Sequence, residues 1–161
     1  MIDIFISHPT PFNDDQKMFL NLLKRRLSNY GMNAVNLGIN NWDYRKPLIP
    51  IKELIIKCKG AILVGLVRHH SYIGYEKENS SEQIESVHKY TTSPWIHLEG
   101  GMAYQAGLPI IILKEDKVFA EGILDPNNSE SYILSFKLNE NIVKLSDEIE
   151  QIIKSWVERI N

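Results

Sequence analysis

Short apolar runs alternate along this chain with longer stretches in which apolar residues recur every three or four positions, the rhythm of strands and helices in turn. Residues 2–6, with Ile2, Ile4, Phe5 and Ile6, read as a first strand. Asn13 or Asp14 caps a helix whose stripe is Phe19, Leu22, Leu23, Leu27 and Tyr30, and Gly31 stops it. Residues 33–37 form a short second strand. A polar loop over residues 38–46 leads past Pro47 and Pro50 into a helix carrying Ile51, Leu54, Ile55 and Cys58 on one side. Residues 61–67 are apolar throughout and read as a central, parallel strand. Residues 68–92 are irregular, with a short helix expected near residues 81–88. A helix from residue 94 and a strand at residues 110–113 follow, then a last strand at residues 132–136. A C-terminal helix closes the chain with Ile142, Leu145, Ile149, Ile152, Ile153, Trp156 and Ile160 at helical spacing.

This alternation predicts an α/β fold, a flavodoxin-like doubly wound parallel sheet of about five strands with helices on both faces. One domain spans residues 1–161. In such folds ligands bind outside the carboxyl ends of the strands. Three loops are expected there: residues 7–12, 38–46 and 68–92. No G-x-G-x-x-G follows the first strand and there is no phosphate-binding P-loop, which argues against a dinucleotide-dependent oxidoreductase.

The helix after the third loop carries the candidate chemistry. Ser93 is a favourable N-cap, Pro94 suits the first helical position, and Gly107 with Pro109 marks the stop. Trp95, Glu99, Met102, Ala103 and Ala106 share one helical face, apolar except for Glu99. An acid on a core-facing stripe needs a partner or a task. A salt bridge or a loop amide could satisfy it. Gly100 and Gly101 in mid-helix each cost roughly 1 kcal/mol of helix propensity, as where a backbone or a ligand comes close.

Composition narrows the function classes. A hydrophobic fraction of 43% and a charged fraction of 24% are those of a globular protein. The net charge of −2 and interspersed signs give no footprint for nucleic acid. The basic cluster Lys24, Arg25 and Arg26 falls on the polar side of a helix. Cys58, the single cysteine, precludes an internal disulfide and reads as a small buried hydrophobe. No signal peptide or membrane span is evident, so a cytoplasmic location is expected. His69, His70, His88 and His97 lack the carboxylate spacing of a metal site, and none is expected.

Phe5-Ile6-Ser7-His8, the loop at residues 38–46, and the spacing of Ser93, Trp95 and Glu99 resemble the first-strand motif, BB loop and S-x-W-x-x-x-E motif of the Toll/interleukin-1 receptor (TIR) domain family. Members of that family act either as interaction modules or as enzymes that cleave NAD. The resemblance implies an NAD-cleaving enzyme of the bacterial type, in antiphage defence. NAD or a related nucleotide would be the substrate, no separate cofactor would be needed, and the product would be an ADP-ribose or a cyclic signal sensed by a downstream effector. It also implies a homo-oligomer or TIR–TIR assembly. Glu99 would be catalytic. Phe5, Ser7, His8, Ser93 and Trp95 would line the substrate site, Trp42 and Tyr44 would stack on a base or on nicotinamide, and Arg45 would pair with pyrophosphate. The alternative within the same family is a non-catalytic scaffold.

Glu99-Gly100-Gly101-Met102-Ala103 followed by Gly107-Leu108-Pro109 also resembles the E-x-G-x-A…G-x-P segment of the nucleoside deoxyribosyltransferases and deoxynucleotide N-hydrolases, where the glutamate is the nucleophile. Both resemblances imply cleavage of an N-glycosidic bond by Glu99, whose charge would stabilise an oxocarbenium-like ribosyl cation. They differ in substrate.

Overall fold

The computed structural model describes residues 1–37, 46–138 and 144–160. Five strands, β1 (Ile2–Ser7), β2 (Met32–Val35), β3 (Gly60–Gly65), β6 (Ile110–Glu115) and β7 (Ile133–Phe136), form one sheet in the order β2-β1-β3-β6-β7, and every pairing in it is parallel. Between β3 and β6 the chain inserts a separate antiparallel pair, β4 (His69–Glu76) and β5 (Ile84–Thr91). The helices are α1 (Asp14–Asn29), α2 (Leu48–Lys57), α3 (Pro94–Gln105) and α4 (Asp147–Ile160). Without the inserted pair the strand order is the flavodoxin-like one expected from the sequence.

Period-two alternation sorts the sheet residues into two layers. Ile4, Ile6, Ile62, Val64, Ile111 and Leu113 point to one face and pack against Phe19, Leu23 and Leu27 of α1 and Ile149, Ile153 and Trp156 of α4. Phe5 and Ala61 point to the other, against Ile51 and Ile55 of α2 and Ala103 of α3, and Leu63 and Ile112 meet Ile96 of α3 on that side as well. Covering both faces is why β3 is buried at every position. Each Ile or Leu so enclosed contributes roughly 1.5–3 kcal/mol of transfer free energy.

Local signals account for the helix ends. Asn13 caps α1, its Oδ1 accepting from the Gln16 amide at 2.8 Å. Gly107 ends α3 with φ +70°, in the left-handed region, and the Leu108 amide donates back to Ala103 O at 3.2 Å. Cys58 is 4% exposed with its thiol donating to Leu54 O, and burial pushes its pKa up to about 11. Of the C-terminal stripe, Ile142 lies outside the described residues.

The hairpin corrects the expected short helix near residues 81–88. Its strands are held by cross-strand pairs, with His70 stacked on Tyr90 at 4.0 Å between ring centroids and Ile73 opposite Val87. Its turn puts Lys77 (φ 52°) and Asn79 (φ 63°) in the left-handed region without a glycine. Neither face is packed on the main sheet, so no apolar alternation announced the strands. The Arg68 amide donates to Thr91 O at 2.9 Å and closes the base of the hairpin.

Candidate active site

Ser93, 5% exposed, caps α3, its hydroxyl accepting from the Trp95 amide at 3.4 Å, and Pro94 takes the first helical turn. The inward face of the helix is Ile96, Gly100 and Ala103. This is one position round from the stripe expected above, because Ile96 and Gly100 complete the apolar face that the sequence pattern assigned to Trp95 and Ala106. Trp95 is 44% exposed, and Ala106 is exposed too. Glu99 therefore sits on the flank of the helix, half-buried, rather than against the core.

Gly100 has a packing reason. A Cβ there would stand 2.7 Å from Leu63 Cδ1 and 2.6 Å from Ile123 Cδ1, so its absence lets α3 settle onto β3 and the turn at Gly122–Leu124. Gly101 faces open space. The approach that the paired glycines announced is that of neighbouring side chains.

The flank position turns Glu99 toward the carboxyl end of β1, where the Ser7 hydroxyl donates a hydrogen bond to Glu99 Oε2. Burial pushes the Glu99 pKa above the usual carboxylate value, and the Ser7 bond opposes this in part. Among the described residues Oε1 has no partner. The carboxylate borders an open pocket of about 290 Å³ whose wall includes Ser7, His8, Arg68, Ser93, Trp95 and Glu99, with Pro9, Thr10, Leu37, Pro47, Ile51 and Ile96 completing it. Glu99 is the only carboxylate in that described wall.

The first expected loop, the start of the third, and Leu37 and Pro47 on either side of the second thus border one place, at the carboxyl ends of the strands. His8 donates from Nδ1 to its neighbour's carbonyl, Pro9 O, at 2.9 Å, and Nε2 lies 3.5 Å from Asn36 Nδ2. Burial lowers its pKa, the Pro9 carbonyl opposes that, and Lys24 adds to the lowering, so the ring is neutral near pH 7. Phe5 is a correction. It is 1% exposed and packs with Ile51, Ile55 and Ala103 beneath the pocket, because β1 alternation buries it one pleat below Ser7. Trp42, Tyr44 and Arg45 lie outside the described residues, as does nearly all of the expected loop at residues 38–46.

Sequence reasoning named the loop that begins at residue 68 but not Arg68 itself. Its signal was available: it is the first charged residue after the apolar run of β3, at the strand end where ligands bind. A larger hollow of about 610 Å³ lies beside β7 and α4, lined by Asp116, Lys137, Lys144 and Glu148 among others; it shares no described lining residue with the Glu99 pocket, and its titratable side chains are exposed. Among the described residues no three His, Cys, Asp or Glu side chains are grouped to hold a metal ion, and no helix is long and apolar enough to cross a membrane.

No protein-family model and no curated protein matches the sequence. Solved structures do match the fold. The CMP N-glycosidase of Clostridium botulinum aligns with a TM-score of 0.56 at 16% identity, over 96% of this chain and 98% of that one. A conserved protein from Enterococcus faecalis aligns with a TM-score of 0.51 at 13% identity, over 99% of each chain. A 2-deoxyribosyltransferase from Bacillus psychrosaccharolyticus gives 0.47 at 13% identity, over 92% and 94%. At these identities the likeness is one of fold.

Proposed function

We propose that this chain cleaves the N-glycosidic bond of a nucleoside or nucleotide, with Glu99 as the group that meets the anomeric carbon. The observation that supports this most directly is the half-buried Glu99 carboxylate, held by Ser7 at the edge of a pocket at the carboxyl ends of the strands. The likeness in fold to a CMP N-glycosidase makes the nucleoside class the first to test.

The geometry suits a single-carboxylate mechanism. Ser7 occupies Oε2 and orients the group, leaving Oε1 to attack C1′ on the face opposite the base. As the O–C1′ bond forms, the C1′–N bond breaks and its electron pair leaves with the base, which takes up a proton from solvent. Water then attacks C1′ as the bond from C1′ to the carboxylate breaks, and its proton passes to solvent, which releases the sugar and returns the carboxylate. A raised pKa strengthens the carboxylate as a nucleophile and is consistent with a desolvated reacting site. Neutral His8 offers its ring to sugar hydroxyls or to the base.

NAD cleavage by the same Glu99 is the second reading. Trp95 on the pocket wall favours it, since it keeps the S-x-W-x-x-x-E arrangement at the site. The likeness in fold to a CMP N-glycosidase favours the first reading. Incubation with CMP, deoxycytidine 5′-monophosphate, cytidine and NAD in parallel, with mass-spectrometric detection of free base or nicotinamide, tests both. Free cytosine with intact NAD supports the first reading. Free nicotinamide alone supports the second. No release from any of the four, from protein whose fold is verified, would reject the enzyme.

A further inference from the structure

Arg68 is the one cation in the described wall of the Glu99 pocket, and among the described residues its guanidinium makes no ion pair. An arginine that lines a polar pocket and makes no ion pair among the described residues is available for a ligand anion.

Its main chain is fixed from three sides. The Val67 amide donates to Glu115 Oε2 at 2.8 Å. The Val67 carbonyl accepts from Gln16 Nε2 at 2.9 Å. The Arg68 amide donates to Thr91 O at 2.9 Å. Gln16 and Glu115 are 1% and 9% exposed, so two buried polar side chains from different elements are committed to the peptide that precedes one surface arginine. A brace of this kind defines where the guanidinium can reach and lowers the entropy lost when it engages a ligand.

The other polar groups of the wall are hydroxyls and a neutral imidazole: Ser7, Thr10, Ser93 and His8. Together with Arg68 they form a lining that presents one positive charge beside the single negative charge of Glu99. A sugar held with its anomeric carbon at Glu99 and an anionic substituent at the opposite end would pair both ends with groups of the right kind. We infer that Arg68 binds the phosphate of a 5′-phosphorylated ribosyl substrate, so that the site selects nucleotides over nucleosides. This rests on the glycosidase reading for the placement of the sugar, although the anion site itself does not. The phosphate could belong to a mononucleotide or to the diphosphate of a dinucleotide such as NAD, and CMP and NAD serve as separate probes.

The experiment compares kcat/KM for CMP and for cytidine in the wild type, Arg68→Ala and Arg68→Lys. The wild type should favour CMP. Arg68→Ala should lower the CMP-to-cytidine ratio roughly 10- to 100-fold, chiefly through KM, and Arg68→Lys should retain part of it. An unchanged ratio in Arg68→Ala, or a wild type that handles cytidine as well as CMP, would overturn the inference while leaving the glycosidase standing. Calorimetric binding of CMP, NAD and cytidine to Glu99→Gln protein, with and without Arg68→Ala, reads the anion site without turnover. Binding of CMP or NAD that depends on Arg68 and exceeds that of cytidine supports the inference even if no substrate is cleaved. Equal binding of CMP and cytidine counts against it.

Discussion

Ser7 and Glu99 stand 92 residues apart in sequence and share one hydrogen bond, with the hydroxyl at the carboxyl end of β1 donating to Oε2 of a carboxylate on the flank of α3. The bond spans two elements that enclose the same pocket. It favours the charged form of a group whose pKa burial raises, so its removal should change the chemistry before it changes the fold.

Ser7→Ala should therefore reduce turnover roughly tenfold and move the acid limb of the pH–rate profile to higher pH. The sign follows from the lost hydrogen bond, since Ser7 lowers a Glu99 pKa that burial raises. A profile whose acid limb stays in place, measured on the released base, would show that Ser7 does not govern Glu99.

Glu99→Gln should lose turnover by roughly a thousandfold or more, because the amide keeps the shape but cannot capture or stabilise the anomeric carbon. It should not lose stability near pH 7. A carboxyl whose folded pKa is raised above 4.5 contributes stability that is fully present below 4.5 and lost as pH rises through the folded value. At neutral pH the wild type bears that cost and the glutamine does not. Thermal melting at pH 7 checks this, and a clear fall in Tm would mark Glu99 as a structural partner instead.

His8 sets an acid-side dependence of the opposite sign. Its folded pKa lies below the 6.5 of the unfolded chain, so below 6.5 the unfolded state takes up a proton that the folded state resists, and stability falls with pH. Urea unfolding at pH 7 and at about pH 5.5 should show a smaller loss for His8→Gln than for the wild type. Parallel losses would place the acid sensitivity elsewhere.

The two adjacent glycines of α3 should respond differently to alanine. Gly101→Ala enters open space and should stabilise by up to about 1 kcal/mol through helix propensity. Gly100→Ala gains the same propensity but must displace Leu63 and Ile123, at about 1–3 kcal/mol. Denaturant midpoints for the two variants should fall on opposite sides of the wild-type value, with Gly101→Ala the higher.

The sequence carried the caps of α3 and the order of the main sheet because those depend on neighbours in the chain: Ser93 and Pro94 at one end, Gly107 at the other, and apolar runs buried on both faces. The direction of Glu99 was less legible. Which of two adjacent helical faces turns inward was decided by Leu63 and Ile123 meeting Gly100, a contact between distant segments. Phe5 and Ser7 alternate on the same side of β1, and only the height of the helices above the sheet determines that the first is covered and the second reaches the pocket. The hairpin lacked a pattern because its strands pack on each other rather than on the core. The position of Arg68 at the end of β3 was legible, but the hold of Gln16 and Glu115 on the adjoining Val67 backbone, one from the first helix and one from β6, was not.

The strand order has a further consequence for how the protein gains competence. β1 pairs with β3, β3 pairs with β6, and α3 packs on both β3 and β6, so the contact of Ser7 with Glu99 depends on pairings that close long loops. A refolding chain would regain helical signal before it could hold its carboxylate in place. Recovered turnover would then report the last stage of assembly, and a partly assembled chain would be catalytically silent rather than weakly active.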